Sequence, residues 1–111
     1  MLEWIDASSL AIELQSDDPP TVLDVRNPTE WAGRHGIIEG AVLRSSTMIH
    51  EWIDEIAACR DELVVVTCHT HNRSAQVAHL LRKAGHPDVR VLRDGMKNWS
   101  TSGFPSVTWK G

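Results

Sequence analysis

Hydrophobic and polar positions fall along this chain in short blocks whose period keeps changing. Val64-Val65-Val66-Thr67 is a short, apolar β-branched run, so it reads as a buried strand of a parallel sheet. A polar loop follows it: Cys68-His69-Thr70-His71-Asn72-Arg73-Ser74. Beyond the loop, Ala75, Val77, Ala78, Leu80, Leu81 and Ala84 mark one face of a helix that Gly85 stops. Upstream, Leu2-Glu3-Trp4-Ile5 suits a short edge strand. Asp6, Ser8 or Ser9 then caps a helix with Leu10, Ala11, Ile12 and Leu14, ended by Ser16-Asp17-Asp18-Pro19-Pro20. Thr21-Val22-Leu23-Asp24-Val25 reads as a second buried strand. After Arg26 and a turn at Asn27-Pro28, a short helix runs through Glu30, Trp31 and Ala32 to Gly33 or Gly36.

Ala41-Val42-Leu43 is a short strand, and Ser46 or Thr47 caps an amphipathic helix carrying Ile49, Trp52, Ile53, Ile56 and Ala57. Downstream of the turn at His86-Pro87-Asp88, Val89-Arg90-Val91-Leu92 is a further strand. Asp94-Gly95 breaks it, and a short helix holds Met96 and Trp99 before Ser102-Gly103-Phe104-Pro105. Strands alternating with helices predict an α/β fold, with a central mainly parallel sheet and helices on both faces. The expectation is one domain over residues 1–111, without repeats or linkers.

Composition narrows the function classes. The chain has 11 basic and 15 acidic residues and no lysine or arginine block, so nucleic acid is not an expected partner. No apolar stretch approaches a membrane span, and no basic segment followed by an apolar run marks a secretory leader. The two cysteines, Cys59 and Cys68, form no disulfide framework, which fits a reducing compartment. The expected location is therefore the cytoplasm.

Cys68 stands where a strand ends and a helix opens, the place at which open α/β sheets bind ligands. Unpaired N–H groups and the helix dipole favour an anion or a thiolate there, which makes Cys68 a candidate nucleophile. The alternative is a small buried hydrophobe, against which the polar loop and Arg73 argue. Cys59, late in the preceding amphipathic helix, reads as a packing or semi-exposed residue rather than a resolving thiol. The string Cys68-His69-Thr70-His71 also contains good metal ligands, but a tight loop directs these side chains outward. His35, His50, His79 and His86 are scattered, so neither a metal nor a cofactor is expected. Of the five tryptophans, Trp31, Trp52 and Trp99 read as core, with Trp4 and Trp109 half exposed.

Four motifs in order resemble the rhodanese-like (sulfurtransferase) domain family, from about Trp4 to Pro105. They are Leu23-Asp24-Val25-Arg26 with Glu30-Trp31; a weak match over Arg34-His35-Gly36-Ile37-Ile38-Glu39-Gly40-Ala41; the loop Cys68 to Ser74; and Asp94-Gly95-Met96-Lys97-Asn98-Trp99. The resemblance implies a rhodanese-like fold and a sulfurtransferase. Cys68 would take a sulfane sulfur from thiosulfate, polysulfide or another persulfide donor and hold it as a persulfide. A thiophilic acceptor (cyanide, a thiol, a protein cysteine) would then remove it, and a sulfur-relay protein is a further candidate partner.

Four residues separate Cys68 from Arg73, a length that lets successive backbone N–H groups aim at the sulfur. Arg73 is expected to hold the loop and add positive potential, with a surface ion pair as the alternative. His69, Thr70, His71, Asn72 and Ser74 complete the expected substrate-binding loop. His69 and His71 either make the pocket cationic below neutral pH or point to solvent. His71 occupies a position where many family members have glycine, so strain is expected if that position needs positive φ. Asp24, Arg26 and Glu30 border the same sheet edge, bracing the loop or, for the first two, touching substrate. A cysteine-dependent phosphatase is a weaker alternative, because its loop carries five intervening residues. A non-catalytic binding or regulatory module is the other; loss of the cysteine would announce it, and Cys68 is present.

Overall fold

A computed structural model describes residues 2–111. Five strands form one parallel sheet in the order β1-β5-β4-β2-β3: β1 (Glu3–Ile5), β2 (Thr21–Asp24), β3 (Val42–Leu43), β4 (Val64–Thr67) and β5 (Val89–Leu92). Four helices link them, α1 (Ala7–Glu13), α2 (Pro28–Trp31), α3 (Ile49–Ala57) and α4 (Asn72–Lys83), and a fifth, α5 (Gly95–Thr101), follows β5. The expected α/β fold, with an edge strand at the start, is the one observed. β4 is central, and all four of its residues are fully buried.

Side chains alternate across the sheet, as a strand requires. Val64, Val66 and Cys68 pack with Trp52 and Ile56 of α3 and Val77, Ala78 and Leu81 of α4. Val65 faces the other side, with Leu10 of α1 and Met96 and Trp99 of α5. Two apolar layers thus clamp the central strand, and its C-terminal end is held in place from both sides.

Boundaries differ in detail from the pattern-based reading. β2 ends at Asp24, although the Val25 N–H still bonds the Thr67 carbonyl at 2.9 Å. β3 holds only Val42 and Leu43. A single 3-10 turn over Ser46–Met48 precedes α3, and its cap is Ser45, whose hydroxyl accepts from the Thr47 N–H at 3.3 Å. Cys59 lies beyond the end of α3 rather than within it. Leu80 is 40% exposed and Ala84 is exposed too, so the buried face of α4 is Ser74, Val77, Ala78 and Leu81. Trp31, Trp52 and Trp99 are core residues, as read. The C-terminal segment returns along Ile37 through an antiparallel bridge at Val107, and Trp109 meets Trp31 edge-on at 5.4 Å.

Candidate active site

Asp24 and Thr67 are register partners at the ends of β2 and β4, so Val25-Arg26 and Cys68 leave the sheet at one edge. α4 begins earlier than its apolar pattern suggests. Asn72, Arg73 and Ser74 belong to its first turn, and only Cys68 to His71 form the loop proper. This early start supplies the contact to the sulfur. The Ser74 N–H donates to Cys68 Sγ at 3.4 Å, and Sγ–H in turn donates to Ser74 Oγ at 3.3 Å. The Ser74 hydroxyl is itself fixed by donating to the His71 carbonyl at 3.2 Å. An N–H from the first turn of a helix favours negative charge on the group it meets.

Cys68 is only 1% exposed, which corrects the expectation of an accessible cysteine. The loop's polarity lies on its outer side, while the sulfur points in against Val66 and Val77. A second correction concerns the nest of converging amides: Ser74 alone among the described residues donates a backbone N–H to Sγ. At His71 the condition for strain is not met. Its φ is −152°, so the position asks for no glycine and carries no left-handed strain.

Among the described residues the one non-glycine with positive φ is Asp94, at φ 63°, followed by Gly95 at φ 59°. These two turn the chain so that the start of α5 clasps the loop from behind. The Met96 N–H donates to the Cys68 carbonyl at 2.8 Å, and the Lys97 N–H to the His69 carbonyl at 3.0 Å. A Cβ on Gly95 would lie 2.5 Å from the Cys68 carbonyl oxygen and 2.6 Å from that of His69. Only glycine fits there. The sequence placed Asp94-Gly95 in a motif without showing that it supports the loop.

Arg73 points to α2. Its guanidinium donates to the two carboxylate oxygens of Glu30 at 2.6 and 2.8 Å. The paired guanidinium holds Glu30 well below the usual carboxylate range, at about 2, with the Asn27 N–H helping. The same pair pushes Arg73 upward, with smaller help from the neighbouring Cys68 and Asp24 charges.

Behind this pair, Arg26 and Asp24 are fully enclosed. Arg26 donates to both Asp24 oxygens through Nε and Nη2, at 3.0 and 2.7 Å, and to the Gly36 carbonyl at 2.7 Å. It also reaches the Glu30 carbonyl at 3.3 Å, while Trp31 Nε1 donates to Asp24 at 3.2 Å. A buried pair with its hydrogen bonds so fully met fixes local geometry. The arrangement is that of a brace.

The two loop histidines part company. His71 is exposed and sits edge-on to Trp4 at 5.7 Å, on the β1 side. His69 is half-buried and faces His35, ring to ring at 5.6 Å, on the α2 side. His35 looked isolated in the sequence because its partner lies across the sheet edge. Thr70 is half-buried and Asn72 exposed, neither with a side-chain hydrogen bond among the described residues. No helix among the described residues is long and apolar enough to cross a membrane.

Comparison with known proteins fits this geometry. Residues 7–102 match the rhodanese-like domain family. The chain belongs to that family. It is 32% identical to a sulfurtransferase of Allochromatium vinosum over 111 residues, the full length of both chains. It is 31% identical over 94 residues to the probable adenylyltransferase/sulfurtransferase MoeZ of Mycobacterium tuberculosis, a match covering 85% of this chain and 24% of that protein. Among solved structures, a rhodanese-related protein from Thermoplasma volcanium superposes with a TM-score of 0.82 at 28% identity, covering 95% of this chain and 97% of that one.

Proposed function

We propose that this chain is a sulfurtransferase that carries sulfane sulfur as a Cys68 persulfide. The observation that carries the reading is the Ser74 N–H directed at Cys68 Sγ from the first turn of α4. The Cys68 thiolate attacks the outer sulfur of thiosulfate, and the S–S bond of the donor breaks. Sulfite leaves with the bonding pair, and the enzyme holds Cys68–S–S⁻. An acceptor nucleophile then attacks the outer sulfur and returns the Cys68 thiolate. Two displacements through one covalent intermediate give ping-pong kinetics.

In this reading, Ser74 stabilises the charge on the sulfur, and Arg73, Glu30, Asp24 and Arg26 hold the loop in shape. His69, Thr70, His71 and Asn72 present its outer rim to substrate. The enclosed sulfur favours donors with a slender terminal sulfur, such as thiosulfate or polysulfide. The likeness to a relative named adenylyltransferase/sulfurtransferase keeps a sulfur-relay protein among the candidate partners. The two cysteines without a disulfide framework fit work in a reducing compartment such as the cytoplasm, as a single domain.

The test is thiocyanate formation from thiosulfate and cyanide, by the wild type and by Cys68→Ser. Serine changes the volume little and removes the nucleophile, so the variant should fold and be inactive. Equal activity in both would refute the mechanism. The 1% exposure of Cys68 favours, as a second reading, a module that binds without turnover. Absence of transfer from thiosulfate, polysulfide and protein persulfides alike would select it.

A further inference from the structure

Beside the loop, on the α2 side, lies a cleft of about 270 Å³ lined by Arg26, Glu30, Gly33, Arg34, His35 and His69. Its charges are unevenly matched. Glu30 is taken up by Arg73, and Arg26 is held by Asp24. Arg34 and the nearby Lys97 are both exposed and have no carboxylate partner within salt-bridge distance among the described residues. His35 is 8% exposed, and its Nδ1 has no hydrogen-bond partner among the described residues. Leaving a buried ring nitrogen unpaired is costly, so its persistence calls for an explanation.

We infer that this cleft is an anion subsite, in which Arg34, His35 and His69 receive the small charged group of a substrate while its sulfur faces the Cys68 loop. The proposal rests on the sulfur-transfer reading only for the anion's identity, taken as the sulfonate end of a thiosulfate-like donor. Cationic groups brought together without a counter-charge repel one another, and an entering anion removes that repulsion. Burial, followed by the positive charges of Arg34, His69, Arg26 and Lys97, already pushes His35 below the ordinary histidine range. Glu30 also lines the cleft but stays ionised and paired. Anion binding therefore favours protonation of His35 and tightens as the pH falls. His71, on the opposite flank of the loop, takes no part.

The experiment is a histidine-ring NMR titration of the Cys68→Ser protein with sodium thiosulfate at about pH 6, where imidazoles titrate. Because this protein cannot transfer sulfur, binding is read separately from turnover. Saturable shifts are expected at His35 and His69 and none at His71, with weaker binding at higher pH. Arg34→Gln should weaken binding about fivefold, the loss of one exposed charge-assisted contact. His35→Asn should do the same if it folds; Arg34→Gln, at an exposed position, keeps the test valid if it does not.

Sulfite and mercaptopropionate are run in parallel. Sulfite matching thiosulfate assigns the subsite to the donor's sulfonate, whereas tighter mercaptopropionate would overturn that assignment in favour of a carboxylate acceptor. In the active protein, Arg34→Gln should raise KM for thiosulfate with kcat unchanged. Non-saturating shifts, shifts centred on His71, or undiminished binding in Arg34→Gln would overturn the subsite. An inactive wild type that still shows the saturable shifts would refute only the transfer reading.

Discussion

Arg73 grips Glu30 through two hydrogen bonds, at 2.6 and 2.8 Å, and so ties the Cys68 loop to α2. The loop's arginine makes no hydrogen bond to the sulfur. The geometry suits Arg73 to positioning, and the backbone N–H that reaches Sγ comes from Ser74 instead.

The pair makes stability depend on acid pH. Glu30 has a folded value near 2 against 4.5 for an unperturbed glutamate. The unfolded chain therefore takes up the proton first as the pH falls. The stabilisation is complete above about 4.5 and is lost between 4.5 and 2. Glu30→Gln should lower stability at neutral pH by about 1 kcal/mol, since the pair is partly exposed to solvent, and should flatten that acid limb. Urea unfolding at a series of pH values checks both effects; an unchanged acid limb would show that Glu30 does not carry it.

Gly95 is the second support. Alanine there meets both a left-handed backbone and the carbonyls of Cys68, His69 and Thr70. Strain and overlap together should cost about 2–4 kcal/mol. Gly95→Ala should shift the denaturant midpoint without changing its slope and impair sulfur transfer, because the clasp on the loop loosens. Wild-type stability in that variant would contradict the close approach.

Ser74→Ala removes the hydroxyl beside Sγ but keeps the backbone N–H. Once Cys68 is ionised, Sγ can only accept, so the hydroxyl stabilises it by turning its O–H from the His71 carbonyl to the sulfur. Loss of that one hydrogen bond, worth about 1 kcal/mol, predicts a drop of roughly fivefold in kcat/KM. Steady-state kinetics with thiosulfate reads it. Complete loss would mean that the hydroxyl does more than stabilise the sulfur, and no loss would remove it from the mechanism.

The parallel sheet was legible in the chain because Val22-Leu23 and Val64-Val65-Val66 are buried on both faces, so their apolar runs are unbroken. The position of Cys68 followed from the strand that carries it. What the pattern missed depends on side chains meeting across the sheet edge. The pairing of His35 with His69 joins residues from two separate loops, and nothing local in either segment marks it. The burial of Cys68 was obscured because its neighbours in sequence are polar while its neighbours in space are valines. The helical first turn at Asn72-Arg73-Ser74 was hidden because its residues are all polar: Ser74 meets Cys68, Arg73 meets Glu30 of α2 and Asn72 is exposed, so no apolar spacing announces it.

The central claim is the persulfide on Cys68, and intact-protein mass spectrometry after incubation with thiosulfate tests it most directly. The account predicts a gain of one sulfur atom localised to Cys68, absent in Cys68→Ser and removed by cyanide or a thiol. A sulfur adduct on Cys59 alone, or none with thiosulfate, polysulfide or a protein persulfide, would contradict it.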